Sequence, residues 1–146
     1  MLLLVRHALA VPRHAWVDDD ARRPLTPRGV RQAEALPATL EGFRIERIVS
    51  SPAKRCTQTV RPLAEERGLR VKTSKLLREG RGDDGLDLVL DAVGDVALCT
   101  HGDVIEVVLA GLRRLGWPVP ADPKLAKGSA WVLRRDEPCR YLPPPR

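Results

Sequence analysis

A chain of 146 residues with 43% hydrophobic and 30% charged side chains is one domain's worth of globular sequence. It can bury about 70% of its unfolded surface without a disulfide or structural metal. The net charge of +6 attracts phosphate in any chemical form, but aromatics are only 3%, too few for the stacking surface that single-stranded nucleic acid needs. Cys56, Cys99 and Cys139 are odd in number and widely spaced, which argues against a disulfide scaffold or zinc ribbon and fits a reducing, cytoplasmic setting.

In chain order, Leu2-Leu3-Leu4-Val5 is a short unbroken apolar run that suits a strand buried on both faces. Arg6 and His7 interrupt it too early for a signal peptide or a membrane span. Residues 8–25 carry Pro12, Pro24 and the acidic run Asp18-Asp19-Asp20, which predicts a long loop, and such loops are often functional. Thr26-Pro27 reads as an N-cap followed by proline in the first helical position. That helix should reach about Leu40, with Pro37 kinking or shortening it. Ile45–Val49 predicts a second buried strand, and Ser50-Ser51-Pro52 opens a helix that ends near Gly68, with Pro62 as an irregularity. Val71–Thr73 is a brief strand, and residues 83–93 an amphipathic helix built on Leu86, Leu88, Val89, Leu90 and Val93,. Val96–Thr100 is the next buried strand, a helix follows from about Asp103 to Leu115, and Ala130–Leu133 is the last strand. Residues 137–146, with Pro143 to Pro145, read as an irregular, frayed tail.

Alternating strands and helices predict a single α/β domain spanning residues 1–146. It would be a three-layer sandwich, a mostly parallel central sheet with helices on both faces. Ligands of such sheets lie beyond the carboxyl ends of the strands. Arg6 and His7 follow the first strand, Ser50, Ser51, Lys54 and Arg55 the second, and His101 and Gly102 the fourth. Guanidinium groups bind phosphate oxygens through paired N–H groups and keep their charge. Helix N-termini add free N–H groups, and a neutral imidazole can be a nucleophile. Each piece has a plain alternative: a solvated Arg-His pair, a histidine that caps a helix, a surface arginine. Their meeting at one sheet edge is what favours a phosphate site.

Leu4-Val5-Arg6-His7-Ala8 resembles the opening motif of the histidine phosphatase superfamily, the phosphoglycerate mutase-like family. Arg23 to Ala33, Ser50 to Thr59 and Thr100-His101-Gly102-Asp103 resemble its later motifs in the family's order,. The resemblance implies that His7 is a nucleophile forming a phosphohistidine intermediate, and that Arg6, Arg55, His101 and Gly102 hold the phosphoryl oxygens. It implies no metal and no cofactor. Leu76-Leu77-Arg78-Glu79 is similar to the segment that carries the family's general acid, which makes Glu79 the candidate acid, with Asp83 and Asp103 behind it.

Ala8 stands where the family usually has glycine, and only 21 residues separate Glu79 from His101. The helical insertion that covers the site in mutases is therefore missing, and the chain resembles the short phosphohistidine-phosphatase branch. The segment from Arg6 to Asp20 also resembles histidine phosphatase domains fused behind Nudix hydrolase domains, although no Nudix signature is present. Arg13 and Lys54 are candidate substrate contacts, Arg13 for a second phosphate; His14 and Trp16 share Arg13's loop, and Trp16 suits an anchor better than a base-stacking platform. The consecutive carboxylates Asp18 to Asp20 lack metal-binding spacing. The expected partner is a phosphorylated small molecule, a nucleotide or a phosphohistidine protein, not nucleic acid and not a membrane. The rival functions are a nucleotide-directed phosphohydrolase, a weakly active phosphate sensor and, last, a basic nucleic-acid-binding module.

Overall fold

The computed structural model describes all of residues 1–146. Six strands, β1 (Leu2–Arg6), β2 (Arg47–Ser50), β3 (Val71–Thr73), β4 (Val96–Thr100), β5 (Ala130–Leu133) and β6 (Arg140–Leu142), form one sheet in the order β3-β2-β4-β1-β5-β6. The pairs β3–β2, β2–β4 and β4–β1 are parallel, and β5 runs antiparallel to both β1 and β6. The helices are α1 (Pro27–Thr39), α2 (Lys54–Arg67), α3 (Gly82–Asp91) and α4 (Gly102–Arg114).

The side-chain alternation of β1 sorts the core into two layers. Leu3 and Val5 pack with Leu36 and Leu40 of the α1 end and with Cys56, Val60 and Leu63 of α2. Leu2 and Leu4, on the opposite face, pack with Val89 of α3 and with Val104, Ile105, Val108, Leu109 and Leu112 of α4. A strand buried on both faces has no polar side, which is why its sequence is an unbroken apolar run. The three-layer α/β architecture is as the sequence predicts. No helix is long and apolar enough to cross a membrane.

Local signals hold where side chains act on their own backbone. Thr26 Oγ1 accepts from Gly29 N–H at 3.0 Å, capping α1. Gly68 ends α2 in the left-handed conformation, φ +65°, which glycine adopts without a Cβ penalty. Pro37 and Pro62 lie inside α1 and α2 without ending them. The second strand begins at Arg47 instead of Ile45, and α2 begins at Lys54 instead of Ser50, because Ser50 ends the strand and residues 51–53 form the turn between them. The expected long loop, residues 8–25, contains two short 3-10 turns and a bridge between Ala10 and Leu25.

The tail requires a correction. Residues 140–142 form β6 on the sheet edge, and are not irregular. Tyr141 sits against Trp131, with ring centroids 5.4 Å apart, and Arg140 covers Phe43 at 5.8 Å. The prolines that follow lie beyond the strand, where missing N–H groups cost no ladder bond.

Candidate active site

Register brings the two histidines together. Arg6 pairs with Thr100 across the parallel β1–β4 ladder, so His7 and His101 are the next residue on each of two adjacent strands. His7 N–H continues the ladder to Thr100 O at 3.1 Å, and the two ring centroids lie 5.5 Å apart at 66°. On the other side of β4, Ser50 pairs with Cys99, which sets Ser51 and the start of α2 at the same edge.

His7 is 6% exposed, among polar groups. Its Nδ1–H donates to Ala8 O at 2.8 Å, leaving the Nε2 lone pair free. Burial pushes the imidazole down to about 3; the Ala8 bond opposes this, and the charges of His101, Arg55 and Arg6 add to it. The ring is therefore neutral at physiological pH. His101 is held on two sides. Its Nε2 lies 2.8 Å from Ser51 Oγ and its Nδ1 3.4 Å from Arg55 Nη2.

Two guanidinium groups flank the histidines. Arg55 is 1% exposed; it donates to Asp20 O at 2.9 Å, Asp20 Oδ2 at 3.2 Å and Glu79 Oε2 at 3.3 Å. Arg6 donates to Leu125 O and lies flat over Gly102, where a Cβ would come within 2.8 Å of its Cζ. Burial lowers the Arg6 pKa, with Glu106 and Asp103 opposing. The Nε of each is buried and has no partner, which is unusual for a buried donor and marks a place for an acceptor. The helices that begin here, α2 after Ala53 and α4 after His101, have no side-chain cap, which leaves their first N–H groups without a side-chain partner.

Arg6, His7, His101 and Gly102 line a cavity of about 360 Å³, and Arg55 bonds to two of its lining residues, His101 and Glu79. Glu79 lines it; each carboxylate oxygen accepts from a guanidinium, one from Arg13 and the other from Arg55. Its partners are thus not its sequence neighbours; Arg81 pairs with Asp84 instead. Arg13 belongs to the site, as does Asp103, whose Oδ2 accepts from Gly80 N–H at 2.7 Å. Lys54 does not: it is exposed and outside the lining, because one helical step from the inward-facing Arg55 is a turn of about 100°. His14 and Asp83 also lie outside the lining. Trp16 donates from Nε1 to Asp19 O at 2.9 Å, a loop anchor. A larger groove of about 710 Å³ between α4 and residues 120–125 contains neither histidine.

Three contributors have no role assigned by the sequence. Arg23 lines the cavity and donates to Asp20 Oδ1 at 2.9 Å. Asp20 joins Arg13, Arg23 and Arg55; burial raises its pKa, but the Arg23 bond and the charges of Arg55, Arg23 and Arg13 outweigh this and lower it. Lys127 lines the cavity from the loop before β5. Family order could have marked the first, but the other two depend on loop placement. Cys56 touches His101 Nε2 at 3.7 Å from inside the core, in van der Waals company and not in the cavity.

The model of the histidine phosphatase superfamily (branch 1) matches residues 2–85. The 8-oxo-(d)GTP phosphatase of Mycolicibacterium smegmatis is 32% identical over 155 residues, covering 99% of this chain and 48% of the relative. The chain thus spans about half the length of that curated relative. A structure provisionally named phosphohistidine phosphatase SixA from Nakamurella multipartitia is 28% identical, TM-score 0.69, covering 89% of this chain and 81% of that one. A structure provisionally given the same name, from Agrobacterium tumefaciens, matches in fold with TM-score 0.77 at 24% identity, over 98% and 97% of the two chains. With the matched segment running through both His7 and Arg55, the chain belongs to branch 1 of the histidine phosphatase superfamily.

Proposed function

We propose that this chain is a phosphatase whose His7 Nε2 takes the phosphoryl group from substrate and passes it to water. In the first step an N–P bond forms and the bond from phosphorus to the leaving oxygen breaks, the electron pair departing with that oxygen. Water then attacks phosphorus and frees the nitrogen. Arg6, Arg55, His101 and the N–H groups at Gly102 hold the equatorial oxygens, where negative charge spreads in the transition state. The carrying observation is that two buried guanidinium Nε–H groups without partners, Arg6 and Arg55, flank an imidazole kept neutral by burial with its Nε2 free. Glu79 is the proton donor for ester substrates, and donating requires it to release one of its two guanidinium contacts,.

The short stretch between Glu79 and His101 suits either a phosphohistidine protein or a nucleotide. The names of two relatives above 25% identity divide the same way. Free thiols at all three cysteines suit the cytoplasm. The test is covalent trapping. Mixing with 32P-labelled substrate and quenching in alkali, where phosphohistidine survives, is expected to leave label on the protein and none on His7→Ala. Turnover without label, or label surviving in His7→Ala, would dismiss this nucleophile.

A further inference from the structure

The cation bank in the cavity exceeds what one phosphoryl group requires. Four cations line it, Arg6, Arg13, Arg23 and Lys127, and a fifth, Arg55, bonds to the lining residues Glu79 and His101. Arg13, Arg23 and Arg55 have carboxylate partners in Asp20 and Glu79. Arg6 and Lys127 have none within ion-pair distance. Arg6 belongs to the scissile phosphoryl group by its place beside His7. Lys127 is left over.

Lys127 is exposed, but its backbone is held in place. The loop that carries it is fixed to the nucleophile strand: Gly128 N–H donates to both Arg6 O and His7 O, at 3.2 and 3.0 Å, and Leu125 O accepts from the Arg6 guanidinium. The neighbours that act on its ammonium are cations: burial first, then Arg6, Arg23, Arg13 and Arg55, lower its pKa. Positive charge so concentrated is unfavourable until an anion enters. At about 360 Å³, the cavity has the size of a small-molecule site.

The carboxyls point the same way. Both Glu79 oxygens and Asp20 accept from guanidinium groups, and Asp103 from Gly80. An alkoxide leaving group needs a proton that none of them gives without breaking a contact. A phosphate leaving group needs none.

We propose that Lys127, with Arg13, binds a second phosphoryl group joined through an oxygen bridge to the one His7 attacks, so that phosphoanhydrides are the favoured substrates. This rests on the phosphatase reading above. When His7 Nε2 attacks the terminal phosphorus, the bridging oxygen leaves with the electron pair, and the penultimate phosphate gains one negative charge beside Lys127 and Arg13.

The experiment has two arms. In the first, kcat/KM is measured for a nucleoside diphosphate and the monophosphate of the same nucleoside. The diphosphate is expected to be favoured by about tenfold or more, the worth of one charge-assisted hydrogen bond. Lys127→Met should cut that ratio about tenfold, and Lys127→Arg should restore it. An unchanged ratio in Lys127→Met overturns the proposal. The second arm needs no turnover: calorimetry on His7→Asn, with pyrophosphate expected to bind more tightly than orthophosphate and Lys127→Met removing the difference. Equal binding of the two anions overturns the subsite even if His7 is the nucleophile. A pyrophosphate preference without any phosphoenzyme in the native chain supports the subsite and removes the phosphatase reading.

Discussion

Arg55 is the largest fully buried side chain in the molecule, and a buried guanidinium is tolerated only with its donors matched. Four of its contacts are supplied by Asp20, Glu79 and His101, and Nε alone is without one. Arg6 shows the same asymmetry, and its guanidinium plane is set by the missing side chain of Gly102. A methyl group there would stand 2.8 Å from Cζ and Nη2 and 3.0 Å from Nε. The far end of an arginine can yield, so Gly102→Ala should fold with a urea midpoint close to the native one. The guanidinium must move by several tenths of an ångström, however, and kcat/KM is expected to fall at least about tenfold. Native kcat/KM in Gly102→Ala would show that Arg6 tolerates displacement. At this scale the sequence shows which residues end strands, since chemistry after an apolar run is visible directly. It does not show Lys127 or Asp20, whose roles depend on where long loops settle, nor that Lys54 turns outward while Arg55 turns in.

The elements are legible in proportion to how local their causes are. β4 and β5 lie where apolar runs predict them, and β3 where Val71–Thr73 is expected, residue for residue, because each strand is short. The start of α1 is legible from Thr26-Pro27 because the cap is a bond between neighbours. The same hydroxyl also donates to Leu9 O at 3.3 Å, and Leu9 O accepts from Thr26 N–H at 2.9 Å, tying the helix to the segment just after His7. Thr26→Ala is therefore expected to lose about 1–2 kcal/mol in urea denaturation, the upper part of the range for a lost cap. Thr26→Ser should recover most of it. A loss of only a few tenths in Thr26→Ala would mean that the Leu9 contact and the cap are both replaced by water. What the sequence hides at this scale is β6. Three residues ahead of a proline run carry little periodicity, and the strand exists because Tyr141 finds Trp131 on the paired strand and Arg140 finds Phe43, far back along the chain.

For the molecule as a whole, the site sets how folding responds to acid. The unfolded chain protonates His7 near its ordinary value of 6.5, whereas burial holds the folded imidazole down to about 3. Between those values the unfolded state binds one proton that the folded state refuses, so stability rises with pH through this window. His7 imposes no cost above pH 6.5; the penalty grows as pH falls and levels off once the folded ring also protonates near 3. Two pH units below 6.5, at pH 4.5, the penalty from this one group is about 2–3 kcal/mol. Asp20, with its lowered pKa, adds a penalty of the same sign only at more acid pH, which leaves the upper window to His7. Urea denaturation at pH 7 and pH 4.5 isolates the effect when native chain and His7→Asn are compared. The native chain is expected to lose about 2–3 kcal/mol more than the variant over that interval. Parallel losses in the two proteins would mean that the folded ring titrates as freely as the unfolded one, and with it would go the neutral lone pair on which the chemistry at Nε2 depends.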